Sequence, residues 1–190
     1  GSGYVDPIGV MRFHFKSASD LRNLEAFGAS DPYARVLLSG YQKARTVTFR
    51  NNLNPEWDEV VYVPVHSPHE KVTLEVMDEE TINDDRTLGS VDLRVSDYVR
   101  ENEEGGYEVD DERQLISSPL RSGRSQKGTL NYTVAFYPAI PVVNPEDEEK
   151  EEENLNGDAE GTDLSRKSTD SKRVGGHSKT ASVDSKATTA

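Results

Sequence analysis

Lys71-Val72-Thr73-Leu74-Glu75-Val76-Met77 runs into Asp78-Glu79-Glu80-Thr81-Ile82-Asn83-Asp84-Asp85-Arg86-Thr87-Leu88-Gly89, and Ser90-Val91-Asp92-Leu93-Arg94-Val95 follows. The flanks alternate: Val72, Leu74 and Val76 fall on one side of an extended chain, as do Val91, Leu93 and Val95 beyond the loop. The stretch therefore reads as strand, acidic loop, strand. Leu24-Glu25-Ala26-Phe27-Gly28-Ala29-Ser30-Asp31-Pro32-Tyr33 has the same setting earlier in the chain. Loops at one end of a β-sandwich can converge, so the carboxylates of these two are expected to share a rim. A rim of that kind suits a hard cation such as Ca²⁺ or, left open, repels anions.

Working outward, Ile8–Phe15 is a strand with Met11, Phe13 and Phe15 inward, and Tyr33–Leu38 is the second. Arg45–Phe49 is predicted as the third, and Asn51-Asn52-Leu53-Asn54-Pro55 as a turn. Trp57–Val65 is the fourth strand and Lys71–Met77 the fifth. Leu88–Val95 is the sixth, followed by one helical turn with Ser96 as its cap. Gln114-Leu115-Ile116 is a short strand candidate, and Leu130–Tyr137 is the last, with Leu130, Tyr132, Val134 and Phe136 on one face. Eight short strands joined by turn-rich loops make an all-β, eight-stranded antiparallel β-sandwich.

Residues 101–112 hold seven acids and no base, and residues 113–128 hold four bases and no acid. This charged insert is read as unstructured or folded back through charge pairing. Three units follow: an N-terminal linker (1–7), a folded domain (8–138) containing the insert, and a tail (139–190). In the tail, seven acids crowd residues 146–153, and a polar Ser/Thr/Lys/Gly-rich stretch follows. Such a composition is expected to stay disordered. Arg166-Lys167-Ser168-Thr169 and Lys179-Thr180-Ala181-Ser182 read as targets of basic-directed kinases. The start, Gly1-Ser2-Gly3, reads as a tag remnant or the cut edge of a larger protein.

With no cysteine in 190 residues, a disulfide framework and thiolate chemistry are excluded. The net charge of −13 argues against nucleic acid as a partner. No stretch is apolar for long enough to form a membrane-spanning helix. No nucleophile–base arrangement or phosphate-cradling glycine loop stands out, so an enzyme is not expected. His66 and His69 read as residues of an exposed turn.

Ser30-Asp31-Pro32-Tyr33, Asn52-Leu53-Asn54-Pro55-Glu56-Trp57 and Asp78 through Leu88-Gly89, in this order and spacing, resemble the C2 domain over residues 8–138. The chain is similar in particular to a central C2 domain of the fungal tricalbins, relatives of extended synaptotagmins. Asp6-Pro7-Ile8-Gly9-Val10, Val63-Pro64-Val65-His66-Ser67, Gly128-Thr129-Leu130-Asn131-Tyr132 and Phe136-Tyr137-Pro138 carry that likeness. The resemblance implies a C2 sandwich of the circularly permuted, type II topology. It also implies a fragment of a larger protein that tethers endoplasmic reticulum to plasma membrane. This part would bind anionic phospholipid on the cytoplasmic side, beside other C2 domains of the same polypeptide.

By the same resemblance, the Ca²⁺ positions are Glu25, Asp31, Asp78, Glu80 and the stretch at Asp84 and Asp85. Two of these are glutamates where the family has aspartates, and the last aspartate falls one residue early, with Arg86 at its usual place. Arg86 is therefore a second candidate occupant of the rim, paired with Asp85 or Asp31. Phe27 and Ile82 are the membrane-tip candidates. Arg35, Lys43, Arg45, Arg50 and Lys71 form a candidate patch for lipid headgroups. The competing reading is a C2 fold used for protein–protein contact, with neither Ca²⁺ nor lipid bound.

Overall fold

The computed structural model describes residues 5–140. Residues 1–4 and the segment from 141 on, including the acidic run and both kinase-target motifs, lie outside the described residues. Eight strands run in chain order: β1 (Gly9–Ser19), β2 (Pro32–Leu38), β3 (Tyr41–Arg45), β4 (Glu59–Val65), β5 (Lys71–Asp78), β6 (Arg86–Arg94), β7 (Ile116–Ser122) and β8 (Ser125–Pro138). They pair in the order β3-β2-β5-β6-β7-β8-β1-β4, and every pairing is antiparallel.

Two four-stranded halves, β3-β2-β5-β6 and β7-β8-β1-β4, join through the single pair Ser90↔Arg121. Gly89 makes that joint possible. Its φ is +129°, and a Cβ there would come within 2.7 Å of the Leu120 Cβ. The first acidic loop follows β1 and the second follows β5, as the permuted topology requires.

Alternation places the core. Met11, Phe13 and Phe15 of β1, Val72, Leu74 and Val76 of β5, and Leu130, Tyr132, Val134 and Phe136 of β8 are buried. Trp57 is buried with this core beside the start of β2 and donates its indole N–H to the Pro32 carbonyl at 3.2 Å. Burial pushes the Tyr132 phenol up to about 12, and raises Tyr98 further still, above the range of ordinary tyrosines. The folded chain thus keeps phenol protons that the unfolded chain releases above its ordinary value of 10.0. Stability is expected to be full below that pH and to fall as pH climbs toward 12. Tyrosine ionisation followed by absorbance checks this; a melting temperature that stays flat across the interval contradicts it.

Three local expectations are corrected. The third strand is Tyr41–Arg45, ahead of the predicted Arg45–Phe49. Beyond Arg45 the chain still lies along β2, but the Thr46 side-chain hydroxyl, not a backbone carbonyl, receives the Ala34 N–H at 2.9 Å, which ends the regular ladder. The turn after β6 is a 3₁₀ turn over Val95–Asp97, and its cap position is Arg94, without a side-chain capping bond. The strand expected at residues 114–116 starts at Ile116 and runs on to Ser122 as β7, across Pro119. Residues 101–128 therefore supply a strand of the sandwich, and Asp110 exchanges two backbone hydrogen bonds with Phe136.

Strand direction sorts the connections into two ends. Loops 20–31, 46–58 and 79–85 and the β7–β8 hairpin lie at one end, called the loop end below. The Ser39-Gly40 turn, residues 66–70, the start of β1 and the finish of β8 lie at the other.

Candidate functional site

The first loop is built by its own polar side chains. The Asn23 amide donates to the Gly28 carbonyl at 2.9 Å. The buried Ser30 hydroxyl accepts from Leu24 N–H and donates to the Arg22 carbonyl, both at 3.1 Å. Asn51, from the loop between β3 and β4, accepts the Ala29 N–H at 2.5 Å. Gly28 takes φ +78° in this tight turn, where a Cβ would lie 2.7 Å from the same Asn51 oxygen. Held this way, the loop presents Phe27 with 95% of its surface exposed. Ile82, at the tip of loop 79–85, is equally exposed.

Pro32 pairs with Asp78, so the first acidic loop ends and the second begins at adjacent backbone. Asp78 is fully buried, and one of its carboxylate oxygens accepts the Asp31 N–H at 2.9 Å. Its other oxygen has no hydrogen-bond partner and faces the rim. Glu25, Asp78 and Glu80 bring carboxylate oxygens within 4.8 Å of one another. The Asp78 contact, with burial and Glu80 adding to it, pushes the Glu25 carboxyl up to about 6.

Arg86 lies among these three. Its guanidinium contacts Glu80 at 2.8 Å, Glu25 at 3.5 Å and Asp78 at 3.6 Å, and donates to the Leu24 carbonyl at 3.1 Å. Arg86 thus enters the rim, but its partners are not the expected Asp85 or Asp31.

The other three expected ligands point elsewhere. Asp31 accepts the Asn51 N–H at 2.7 Å and faces Arg50 at 3.9 Å. Asp85 accepts the Tyr33 hydroxyl at 2.6 Å and the Glu80 N–H at 2.8 Å, which fastens loop 79–85 to β2. Burial pushes Asp85 upward, but those two hydrogen bonds, with Arg45 and Arg35 nearby, hold it below the usual carboxylate range. Asp84 is exposed and outside the cluster. The donor set of Glu25, Asp78, Glu80 and the Leu24 carbonyl, all hard oxygens with one buried oxygen unsatisfied, fits Ca²⁺ in kind. A cation there shares its position with the Arg86 guanidinium.

The candidate headgroup patch is largely paired. Arg35 binds Glu75 through Nε at 2.9 Å, and Lys71 faces Asp92 at 3.7 Å. Arg45 stacks 3.6 Å above the Tyr33 ring and lies 3.6 Å from Glu79. Arg50 binds Glu79 at 2.9 Å. Of these five bases, Lys43 alone has no carboxylate at ion-pair distance among the described residues. Glu79, which binds two of these arginines, is the residue that sequence reasoning misses. Strand alternation puts Asp78 and Glu80 on one side and Glu79 on the other, and that signal is present in the sequence.

The C2 domain family matches residues 9–109. Tricalbin-1 of Saccharomyces cerevisiae is 39% identical over 172 residues, 90% of this chain and 14% of that protein. Tricalbin-2 of the same yeast is 33% identical over 81% of this chain and 13% of its own length. The chain thus spans about a seventh of these curated relatives. Among solved structures, the first C2 domain (domain A) of plant extended synaptotagmin 1 superposes with a TM-score of 0.59 at 24% identity, covering 71% of this chain and 98% of that one. The calcium-bound pair of C2 domains, A and B, of extended synaptotagmin 2 superposes with a TM-score of 0.56 at 22% identity, over 82% of this chain and 54% of that one. At these identities, the two superpositions carry the fold alone.

Proposed function

Since this chain belongs to the C2-domain family, we propose that it is a non-enzymatic module binding anionic phospholipid membrane through its loop end. One observation carries the reading: Phe27 and Ile82, each 95% exposed, project from two loops whose bases are locked together through Asp31 and Asp78. An apolar side chain held rigidly in water has little to gain there and much to gain in the headgroup–acyl boundary. Two such tips give reversible attachment. The likeness to tricalbins supports further C2 domains in the same polypeptide, which would add avidity, and a place at contacts between endoplasmic reticulum and plasma membrane.

Ca²⁺, when bound, supplies positive charge at the rim. Glu25, Asp78 and Glu80 would hold it, with the Leu24 carbonyl. Arg86 competes for the same oxygens, so the intact chain binds the ion weakly and keeps a partly neutralised rim without it. Membrane binding is therefore expected to persist in chelator. Co-sedimentation with phosphatidylserine–phosphatidylcholine vesicles, in chelator and in Ca²⁺, tests the reading. Binding in both conditions, rising modestly with Ca²⁺, is the expected result. No binding in either overturns it and leaves the fold as a surface for protein contact, the alternative that the paired bases on the β3-β2-β5-β6 face favour.

A further inference from the structure

The loop end carries a second charged feature, apart from the acidic rim. In a chain of net charge −13, residues 113–128 contain four bases and no acid. Three of them, Arg121, Arg124 and Lys127, fall on or beside the β7–β8 hairpin, which closes at Ser122↔Ser125. The hairpin is tied to the first loop at two points. Lys127 binds Asp20 at 2.7 Å, and Arg22 donates to the Ser125 hydroxyl. The Ser125 hydroxyl in turn donates to the Ser122 carbonyl at 3.0 Å, which fixes the turn.

Arg121 and Arg124 differ from the bases of the β2–β3 face other than Lys43, which are held by carboxylates. Both are exposed, and neither has an acid at ion-pair distance among the described residues. An arginine without a carboxylate keeps its planar donor fork available, and that fork matches a phosphate.

Resting on the membrane reading above, we propose that the β7–β8 hairpin is a second contact for the anionic lipid surface. Arg121 and Arg124 meet headgroup phosphates, while Arg22 and Lys127 hold the hairpin against the first loop. A lipid surface is the occupant because the hairpin shares its end of the sandwich with both apolar tips. The ties from Lys127 to Asp20 and from Ser125 to Arg22 set the hairpin beside the loop that carries Phe27. The hairpin also supplies attraction where the rim, with three carboxylates against one guanidinium, supplies repulsion.

The test compares the whole chain with R121Q/R124Q and with R94Q, a base at the far end, on phosphatidylserine–phosphatidylcholine vesicles in chelator. Each exposed base near an anionic surface contributes about fivefold, so the double variant is expected to bind up to roughly 30-fold more weakly, with a shallower salt dependence. R94Q is expected to bind like the wild type. An unchanged double variant overturns the proposal while leaving the membrane reading intact. Equal losses in R94Q and in a single R124Q variant also overturn it, since the effect is then net charge and not position. No binding by the wild-type chain removes both readings. All variants must keep the wild-type melting temperature, and the exposure of the substituted side chains makes that the expected outcome.

Discussion

Arg86→Gln is expected to raise Ca²⁺ affinity by roughly 10- to 100-fold, the gain from no longer displacing a guanidinium hydrogen-bonded to charged groups. The geometry gives the direction. Arg86 touches all three clustered carboxylates and the Leu24 carbonyl, the same oxygens a hard cation would take. In the wild type, each ion that binds must first turn this side chain out. Glutamine keeps most of the stem, cannot carry the charge, and leaves three carboxylates to repel one another. Two readouts should therefore move together. The variant should melt lower than wild type in chelator, and it should gain more thermal stability on adding Ca²⁺. Isothermal titration gives the affinity directly. Equal affinities for wild type and variant would show that Arg86 is a bystander. Asp78→Asn on top of Arg86→Gln should abolish the gain, because the buried oxygen that faces the rim then no longer carries a full charge.

The second large effect concerns the tips. Phe27→Ala with Ile82→Ala is expected to weaken vesicle binding by roughly 100-fold, taking about 1.5 kcal/mol for each side chain, the low end for burying one of this size. Neither residue packs against the core in solution, so folding should be unaffected, and a lowered melting temperature would point to a contact other than lipid. Phe27→Trp offers a complementary readout: the indole fluorescence of this variant should shift to the blue on vesicles of suitable composition. Emission from the introduced indole that ignores vesicles, together with unimpaired binding by the double alanine variant, would remove the loop tips from the mechanism.

Much of this molecule can be read in its alternating runs. Val72-Thr73-Leu74-Glu75-Val76 and Leu130 through Phe136 state their inward faces outright, because a strand with one buried side has only two registers to choose between. The third strand departs from its expected place for a local reason: Thr46 and Val47 have strand-like side chains, yet the Thr46 hydroxyl takes over a backbone acceptor's role and breaks the ladder. β7 outruns its expected length because a charged, proline-containing stretch argues against a strand. Pro119 is tolerated since β7 meets β6 at only one pair, so few ladder partners are lost on that side. The site is half legible. Spacing places Asp78 and Glu80 on one side of the strand and flags Arg86. It cannot tell that Asp31 turns to Asn51, or Asp85 to Tyr33, because these bonds join residues 20 and 52 positions apart. These two acids, expected as ligands, are the pins that hold the loops in place.

The meeting of the first and last strands has a mechanical side. Gly9 pairs with Pro138, and the Ala139 N–H donates to the Ile8 carbonyl at 2.9 Å, so chain enters and leaves the sandwich at neighbouring points, far from the loop end. A pull that draws the two flanking segments apart acts across the β1–β8 ladder at its edge and opens it one hydrogen bond at a time, as a zipper opens. It does not shear the whole ladder at once. Under tension along its chain, this domain is expected to open first at its base, at Gly9 and Pro138, with the pairs nearest the loops, at Ser19 and Thr129, parting last.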